Sequence, residues 1–174
     1  MKYRKTHLEA MQKAIDVIDA VDAKFAARFG RSYGGCISEY RCEDADIVIV
    51  TVAGMTGAGM DAVDMARENG IRAGLIKLRV MRPFPAAQIA AALKEKKAFA
   101  AIDRSVSFGW AQGTTHMEIK AAIADLDERF MHFSVIGGLG GADISVDEIY
   151  DCIAYTDRCK DEAGEHETRW LLKD

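Results

Sequence analysis

Asp46-Ile47-Val48-Ile49-Val50-Thr51-Val52-Ala53 is an almost unbroken β-branched run. Both of its alternating faces are apolar, so it reads as a strand covered on two sides, as parallel strands in α/β proteins are. Downstream, the small-residue turn Gly54-Met55-Thr56-Gly57-Ala58-Gly59 opens a helix that stops at Asn69-Gly70, glycine being the common C-terminal breaker. A strand over residues 71–78 follows, then Arg82-Pro83-Phe84-Pro85, where Pro85 suits the first turn of a helix burying Ile89 and Leu93. A third strand is predicted over 98–103 and a fourth over 131–136. Between them Thr115 and Glu118 have the spacing of a capping box, with Ile119, Ala122, Ile123 and Leu126 on one stripe behind it. Ser145 and Glu148 repeat that spacing, and Ile144 and Ile149 are placed to form the hydrophobic staple around it.

Upstream, Leu8, Met11, Ile15, Ile18, Val21, Phe25 and Phe29 recur every three or four positions and predict a long amphipathic helix that ends at Gly30. Four successive strand and helix units imply an α/β fold, three layers (α/β/α) around a mostly parallel sheet, because each parallel crossover needs a covering helix. Residues 36–41 could add a short edge strand. The chain divides into an amphipathic linker helix (1–34), the α/β domain (35–157) and a charged C-terminal tail (158–174) expected to pack only through Trp170-Leu171-Leu172.

The chain has 174 residues, 49% of them hydrophobic, which is enough to build a core. Its formal net charge of -4 provides no basic field for nucleic acid or an anionic membrane. The apolar run 47–53 is far shorter than the roughly 20 residues that cross a bilayer, so a cytoplasmic chain is expected. Cys36, Cys42, Cys152 and Cys159 form no C-x-x-C pair, the spacing that brings two thiolates to one metal or cluster. Reduced, inert thiols are the expectation. His7, His116, His132 and His166 are likewise too scattered to share a helical face, and no metal site is predicted.

Ligands of such a sheet meet the loops leaving the C-terminal ends of the strands, here 54–59, 79–84, 103–113 and 137–143. Gly54, Thr56, Gly57 and Gly59 could present N–H groups to a phosphate, but without the lysine of a P-loop a plain tight turn is the better reading. Arg79, Arg82 and Arg104 fall on one predicted edge; they could clamp an anion, or pair with Asp103, Asp143 or a neighbouring domain. Asp103 could serve acid–base chemistry, yet spacing brings no histidine or carboxylate to it, and structural pairing is preferred. His116 falls in the first turn of a helix and is read as surface. Gly109-Trp110 and Gly137-Gly138-Leu139-Gly140-Gly141 are dense enough in glycine for close backbone approach. The rim candidates for an interface are Arg79, Arg82, Phe84, Asp103, Arg104, Phe108, Trp110, Gly138, Gly140 and Asp143.

Several strings also occur in a particular order: Phe29-Gly30-Arg31-Ser32-Tyr33-Gly34, Glu39-Tyr40-Arg41 before Asp44-Ala45-Asp46, and Gly74-Leu75-Ile76-Lys77-Leu78-Arg79 leading into Arg82-Pro83-Phe84-Pro85. Asp103-Arg104-Ser105 with Ser107-Phe108-Gly109 comes next, and Gly137-Gly138-Leu139-Gly140-Gly141 with Asp143-Ile144 last. Together they resemble the second domain of the α subunit, or α region, of pyruvate:ferredoxin oxidoreductases and related 2-oxoacid oxidoreductases. Ala142 stands where members of that family often carry arginine. The resemblance implies a transketolase C-terminal-like fold with a five-stranded mixed sheet whose first strand, near 36–41, runs against the others. It further implies an oxidative decarboxylation of a 2-oxoacid on thiamine diphosphate and magnesium, with iron-sulfur clusters passing electrons to ferredoxin and coenzyme A taking the acyl group. None of these groups is expected on this segment alone, and no residue of it is expected to be catalytic. The pyrimidine-binding domain that should precede residue 1 is not in the sequence, so the chain reads as a truncation, an excised domain or one piece of a split subunit. Its implied role is to organise an oligomeric assembly with the other domains and subunits and, through them, ferredoxin. Two other readings compete: a nucleotide- or coenzyme A-binding module using the glycine-rich loops, and a small stand-alone enzyme using Asp103, Arg104 or His116.

Overall fold

The computed structural model describes residues 1–126 and 129–172. Its sheet has the order β1 (Ile37–Tyr40), β3 (Ala73–Leu78), β2 (Ile47–Val52), β4 (Ala98–Asp103), β5 (Met131–Ile136), β6 (Gly164–Glu165), with β7 (Arg169–Trp170) also paired to β5. The central strand is β2 (Ile47–Val52), flanked by β3 (Ala73–Leu78) and β4 (Ala98–Asp103), both parallel to it. β5 (Met131–Ile136) is parallel to β4, and β1 (Ile37–Tyr40) runs antiparallel to β3. The β-branched run places Ile47 and Ile49 in the layer beneath α2 (Thr56–Glu68) and α5 (Val146–Cys159). Val48 and Val50 face the opposite layer, beneath α3 (Ala86–Leu93) and α4 (Thr114–Ile123). Each such fully buried side chain contributes about 1.5–3 kcal/mol, which is why the doubly apolar strand takes the middle of the sheet.

A local signal accounts for the start of α5 (Val146–Cys159). Ser145 and Glu148 form the expected capping box: the Glu148 N–H donates to Ser145 Oγ at 3.3 Å, and the Ser145 N–H to Glu148 Oε2 at 2.7 Å. Ile149 is buried beside Ile144, as the staple requires. The box expected at Thr115 does not form. α4 begins two residues earlier, with Gly113 as its N-cap, because the Thr115 hydroxyl is drawn away to the Asp103 carboxylate at 2.5 Å and Glu118 is drawn to Arg82.

Among the described residues the sheet has seven strands rather than five. The C-terminal segment supplies β6 (Gly164–Glu165) and β7 (Arg169–Trp170), both parallel to β5. The outer edge of β5 carries backbone groups that need partners. The tail provides them through Gly164 N to Phe130 O (3.0 Å), His166 N to His132 O (2.8 Å) and Leu171 N to Ile136 O (2.8 Å). Residues 158–174 therefore do not pack only through their last apolar residues: α5 runs through Cys159, and Trp170 and Leu172 are exposed. Positions 173 and 174 lie outside the described residues.

The first helix, α1 (Lys2–Phe29), starts earlier than its apolar stripe and ends at Gly30, which takes φ 70° and closes onto Ala26 O. None of its residues is fully buried. It docks by polar contacts: Gln88 Nε2 donates to Asp19 Oδ2 (2.6 Å), and Asp22 gathers Ser32, Tyr33 and Gly34. No described helix is long and apolar enough to cross a membrane.

Candidate functional site at the C-terminal rim of the sheet

The chain leaves β2 towards β3 through α2 on one face, and reaches β4 through α3 on the other. The C-terminal ends of β2 and β4 are therefore the switch point of the sheet, where ligands of open α/β folds bind. A crevice of about 350 Å³ lies there, lined among others by Ala53, Met55, Met81, Asp103, Arg104 and Thr115. Its floor is a single 3₁₀ turn, Ala53–Met55, entered by Ala53 at φ 58°. Thr56 closes that turn, donating from Oγ1 to Ala53 O at 2.9 Å and lying 3.2 Å from Thr51 Oγ1.

Within the glycine run, Gly59 serves packing. Gly59 is buried, and a Cβ on it would come within 2.5 Å of Leu75 Cδ1. It lets α2 approach β3. Gly54 and Gly57 meet nothing within 4 Å, and the one side chain of the set able to hold a ligand, Thr56, is engaged by the protein itself.

Asp103 is the polar centre of the rim. At 5% exposure its carboxylate accepts the Thr115 hydroxyl (2.5 Å), the Thr115 N–H (3.2 Å) and the His116 N–H (3.3 Å). It thus caps α4 from the end of the preceding strand, satisfying donors a helix start leaves open. Burial pushes its acidity towards a higher pKa, while the three donors pull the other way. Gly113 is glycine because a Cβ there would overlap this carboxylate.

The three arginines do not converge. Arg79 turns to the α1 junction, donating to Gly35 O at 2.7 Å and lying 4.0 Å from Asp22. Arg82 pairs with Glu118 through both Nη atoms, at 2.7 and 2.5 Å. Arg104 reaches across the rim to the carbonyls of Gly138 (3.2 and 3.1 Å) and Ala142 (3.1 Å). None takes Asp103 or Asp143 as its partner, because each lies nearer to an acceptor supplied by its own loop or by a neighbouring element. Gly138, at φ 66°, leaves room for the Arg104 guanidinium, which a Cβ would meet at 2.9 Å. Asp143 and Gly140 lie on the exposed part of that loop.

Two aromatic candidates stand outward. Residues 107–112 form a tight hairpin, with Ser107 N to Gln112 O at 2.7 Å and Trp110 N to Ser107 O at 3.0 Å. Its tip holds Phe108 at 90% and Trp110 at 68% exposure. Phe84, by contrast, is half-buried against the α3–α4 layer. It belongs to the core flank because Pro85 turns the chain back onto the sheet.

Sequence reasoning misplaced His116. His116 is fully buried, not on the surface, with Nε2 3.1 Å from Nδ1 of His132 on β5. Burial drives the His116 pKa down to about 3, His132 adding to the effect, and burial lowers that of His132 as well. No local sequence signal marks the pair, because it depends on the parallel register that sets β4 beside β5, with Phe99 opposite His132. The cysteines are all free and buried. Cys42 lies in the α3–α4 layer and Cys152 and Cys159 in the α2–α5 layer, with burial pushing the Cys42 and Cys152 thiols up to about 11 and about 12. Four thiolates converging on an iron-sulfur cluster do not fit that arrangement.

Residues 45–149, more than half of the chain, match the family described as Pyruvate:ferredoxin oxidoreductase core domain II. The chain belongs to that family. Among relatives of this core domain II chain, the NADH-dependent phenylglyoxylate dehydrogenase subunit alpha of Aromatoleum evansii is 42% identical, covering 90% of this chain and 38% of that protein. The pyruvate synthase subunit PorA of Pyrococcus horikoshii is 38% identical, covering 83% and 36%. The ketoisovalerate oxidoreductase subunit VorA of the same organism is 34% identical, covering 85% and 37%. The core domain II chain thus spans well under half the length of these relatives. In fold, it is similar to a split gene transketolase solved as an inactive beta4 tetramer, with a TM-score of 0.54 at 13% identity, covering 68% of this chain and 41% of that one. A 2-oxoglutarate:ferredoxin oxidoreductase from Magnetococcus marinus gives a TM-score of 0.50 at 14% identity, covering 75% and 20%.

Proposed function

We propose that this chain is the second core domain of the α subunit of a thiamine-diphosphate-dependent 2-oxoacid:ferredoxin oxidoreductase, and that its rim meets other domains or subunits instead of carrying a reaction by itself. The observation that carries this reading is the state of the crevice at the switch point. Asp103, Thr115, Arg104 and Thr56 are bonded to the protein's own groups, while the hairpin tip above them offers Phe108 and Trp110 to solvent. Exposed aromatic rings on a short rigid turn have the composition of interface cores; an acid–base site would need its polar groups aimed at a reacting atom. In the whole enzyme, thiamine diphosphate with magnesium, iron-sulfur clusters and coenzyme A would be held elsewhere. Relatives named for phenylglyoxylate, pyruvate and ketoisovalerate are similarly close to this chain, which supports assigning the choice of 2-oxoacid to other parts of the enzyme.

The test is reconstitution with the remaining subunit segments. Assembly should restore 2-oxoacid-dependent reduction of ferredoxin, whereas the chain alone should show none. A double variant, Phe108→Ser with Trp110→Ser, should leave the chain's own unfolding within about 0.5 kcal/mol of the parent but impair assembly. Turnover by the isolated chain, or undisturbed assembly of the double variant, would count against the reading.

A further inference from the structure

Away from the crevice, three chemically matched side chains from three different elements meet at the β5 edge. His116 comes from α4, His132 from β5 and Glu165 from β6. One ligand atom from each lies within 4.8 Å of the other two. The imidazoles face each other, His116 Nε2 to His132 Nδ1, at 3.1 Å. Two nitrogens on one tetrahedral zinc ion, each at about 2.05 Å, stand roughly 3.3 Å apart, so the rings need to part by only a few tenths of an ångström.

The surroundings orient these atoms. Gln112 lies with Oε1 3.3 Å from His116 Nδ1, and its Nε2 donates to Glu165 Oε1. With that oxygen as acceptor, the His116 proton sits on Nδ1 and the Nε2 lone pair points at His132. A single amide therefore aims two of the three ligands, as outer-shell groups of metal sites do. The His132 ring is stacked on Phe99 with centroids 5.2 Å apart. Lys120 Nζ donates to Glu165 Oε2 at 2.6 Å, and each carboxylate oxygen keeps a further lone pair. A cavity of about 380 Å³ opens beside His132 between Lys120, Phe130 and Gly164, giving an ion and a water molecule a way in.

We infer that His116, His132 and Glu165 bind one divalent transition-metal ion of the zinc class, with two imidazole nitrogens and a carboxylate oxygen from the chain and water from the adjoining cavity completing the shell. On binding, the ion takes the place of the proton on His132 Nδ1, that ring carrying its proton on Nε2 instead through exchange with water, and Glu165 swings inward. Imidazole with one carboxylate suits zinc or cobalt better than the hard cations. The consequence is mechanical. The ion ties β6, and with it the C-terminal segment, to α4 and β5.

The experiment uses the full chain without a histidine tag, stripped with a chelator and titrated with Co²⁺ and Zn²⁺. Cobalt should give the visible absorption of a four-coordinate nitrogen and oxygen site at one ion per chain, without a thiolate charge-transfer band, and zinc should raise the thermal midpoint. Glu165→Gln, an exposed change that leaves the core alone, and His132→Ala should each abolish the cobalt spectrum while the circular dichroism of the fold persists. Gln112→Ala should weaken binding by about 10- to 100-fold. Lys120→Met should tighten it, which a purely structural role for these residues does not predict. An unchanged spectrum on adding cobalt, equal binding by Glu165→Gln and the parent, or a thiolate band that vanishes in Cys159→Ser would overturn the assignment; the last would move the ion to Cys159, Glu162 and His166, which also lie close together.

Discussion

Near the C-terminal end of α1, the Asp22 carboxylate accepts the Ser32 hydroxyl, the Tyr33 N–H at 2.9 Å and the Gly34 N–H at 3.3 Å. At the end of β4, Asp103 accepts the Thr115 hydroxyl at 2.5 Å, the Thr115 N–H at 3.2 Å and the His116 N–H at 3.3 Å. The donor sets are alike: a hydroxyl, that residue's own or the next N–H, and one N–H further on. The acidities move in opposite directions. Hydrogen bonds from Ser32 and Tyr33 dominate at Asp22 and lower its pKa. Desolvation dominates at Asp103 and raises it. The difference shows that position in the fold, more than the local bonding pattern, decides whether a carboxylate is a surface clasp or a buried keystone.

The largest effect should come from removing the buried member. Asp103→Ala leaves three buried donors of α4 without an acceptor and should cost about 3 kcal/mol or more, read by urea unfolding. Gly113→Ala attacks the same carboxylate from the side, since the added Cβ must displace it, and should cost about 1–3 kcal/mol as an overpacked site does. Losses well under these values would mean that water enters the crevice and replaces the bonds.

A pH series separates the two carboxylates by sign. Asp103 binds its proton more tightly in the folded state, so the stability it contributes is complete below its ordinary value of 3.8 and is lost as pH rises through the raised value. For Asp22 the contribution is present above 3.8 and is lost as pH falls through the lowered value. Urea midpoints from about pH 3 to about pH 6 should therefore show the deficit of Asp103→Asn largest at the acid end and that of Asp22→Asn largest at the other end. Parallel profiles would erase the comparison. The smallest effect is expected from Arg79→Ala, which removes a bond to Gly35 O and a distant partner of Asp22. Global stability should change by less than about 1 kcal/mol, while limited proteolysis should cut the α1 junction, residues 30–35, faster.

Two capping-box spacings show how far local sequence carries. Ser145 and Glu148 meet as their spacing predicts because the hydrophobic staple of Ile144 and Ile149 holds the entry to α5. Thr115 and Glu118 have the same spacing and do not meet, since Asp103 and Arg82 offer stronger, charged partners. The site divides in the same way. Phe108 and Trp110 could be read as exposed rim residues from the glycine beside them. That Arg79, Arg82 and Arg104 would part company, or that His116 would be buried against His132, could not, since both depend on which strand lies beside which.

From the sequence alone came the layered α/β design, the doubly covered central strand, the stop at Gly30 and the box at Ser145. Each rests on periodicity or on contacts within a few residues, where the chain's own geometry leaves little choice. The tertiary structure decided the polar partners: Asp103 over the start of α4, the tail closing β5 with β6 and β7, and Glu165 brought to His116 and His132. Those pairings join residues far apart in the chain, and they follow from strand order and register, which no local pattern encodes.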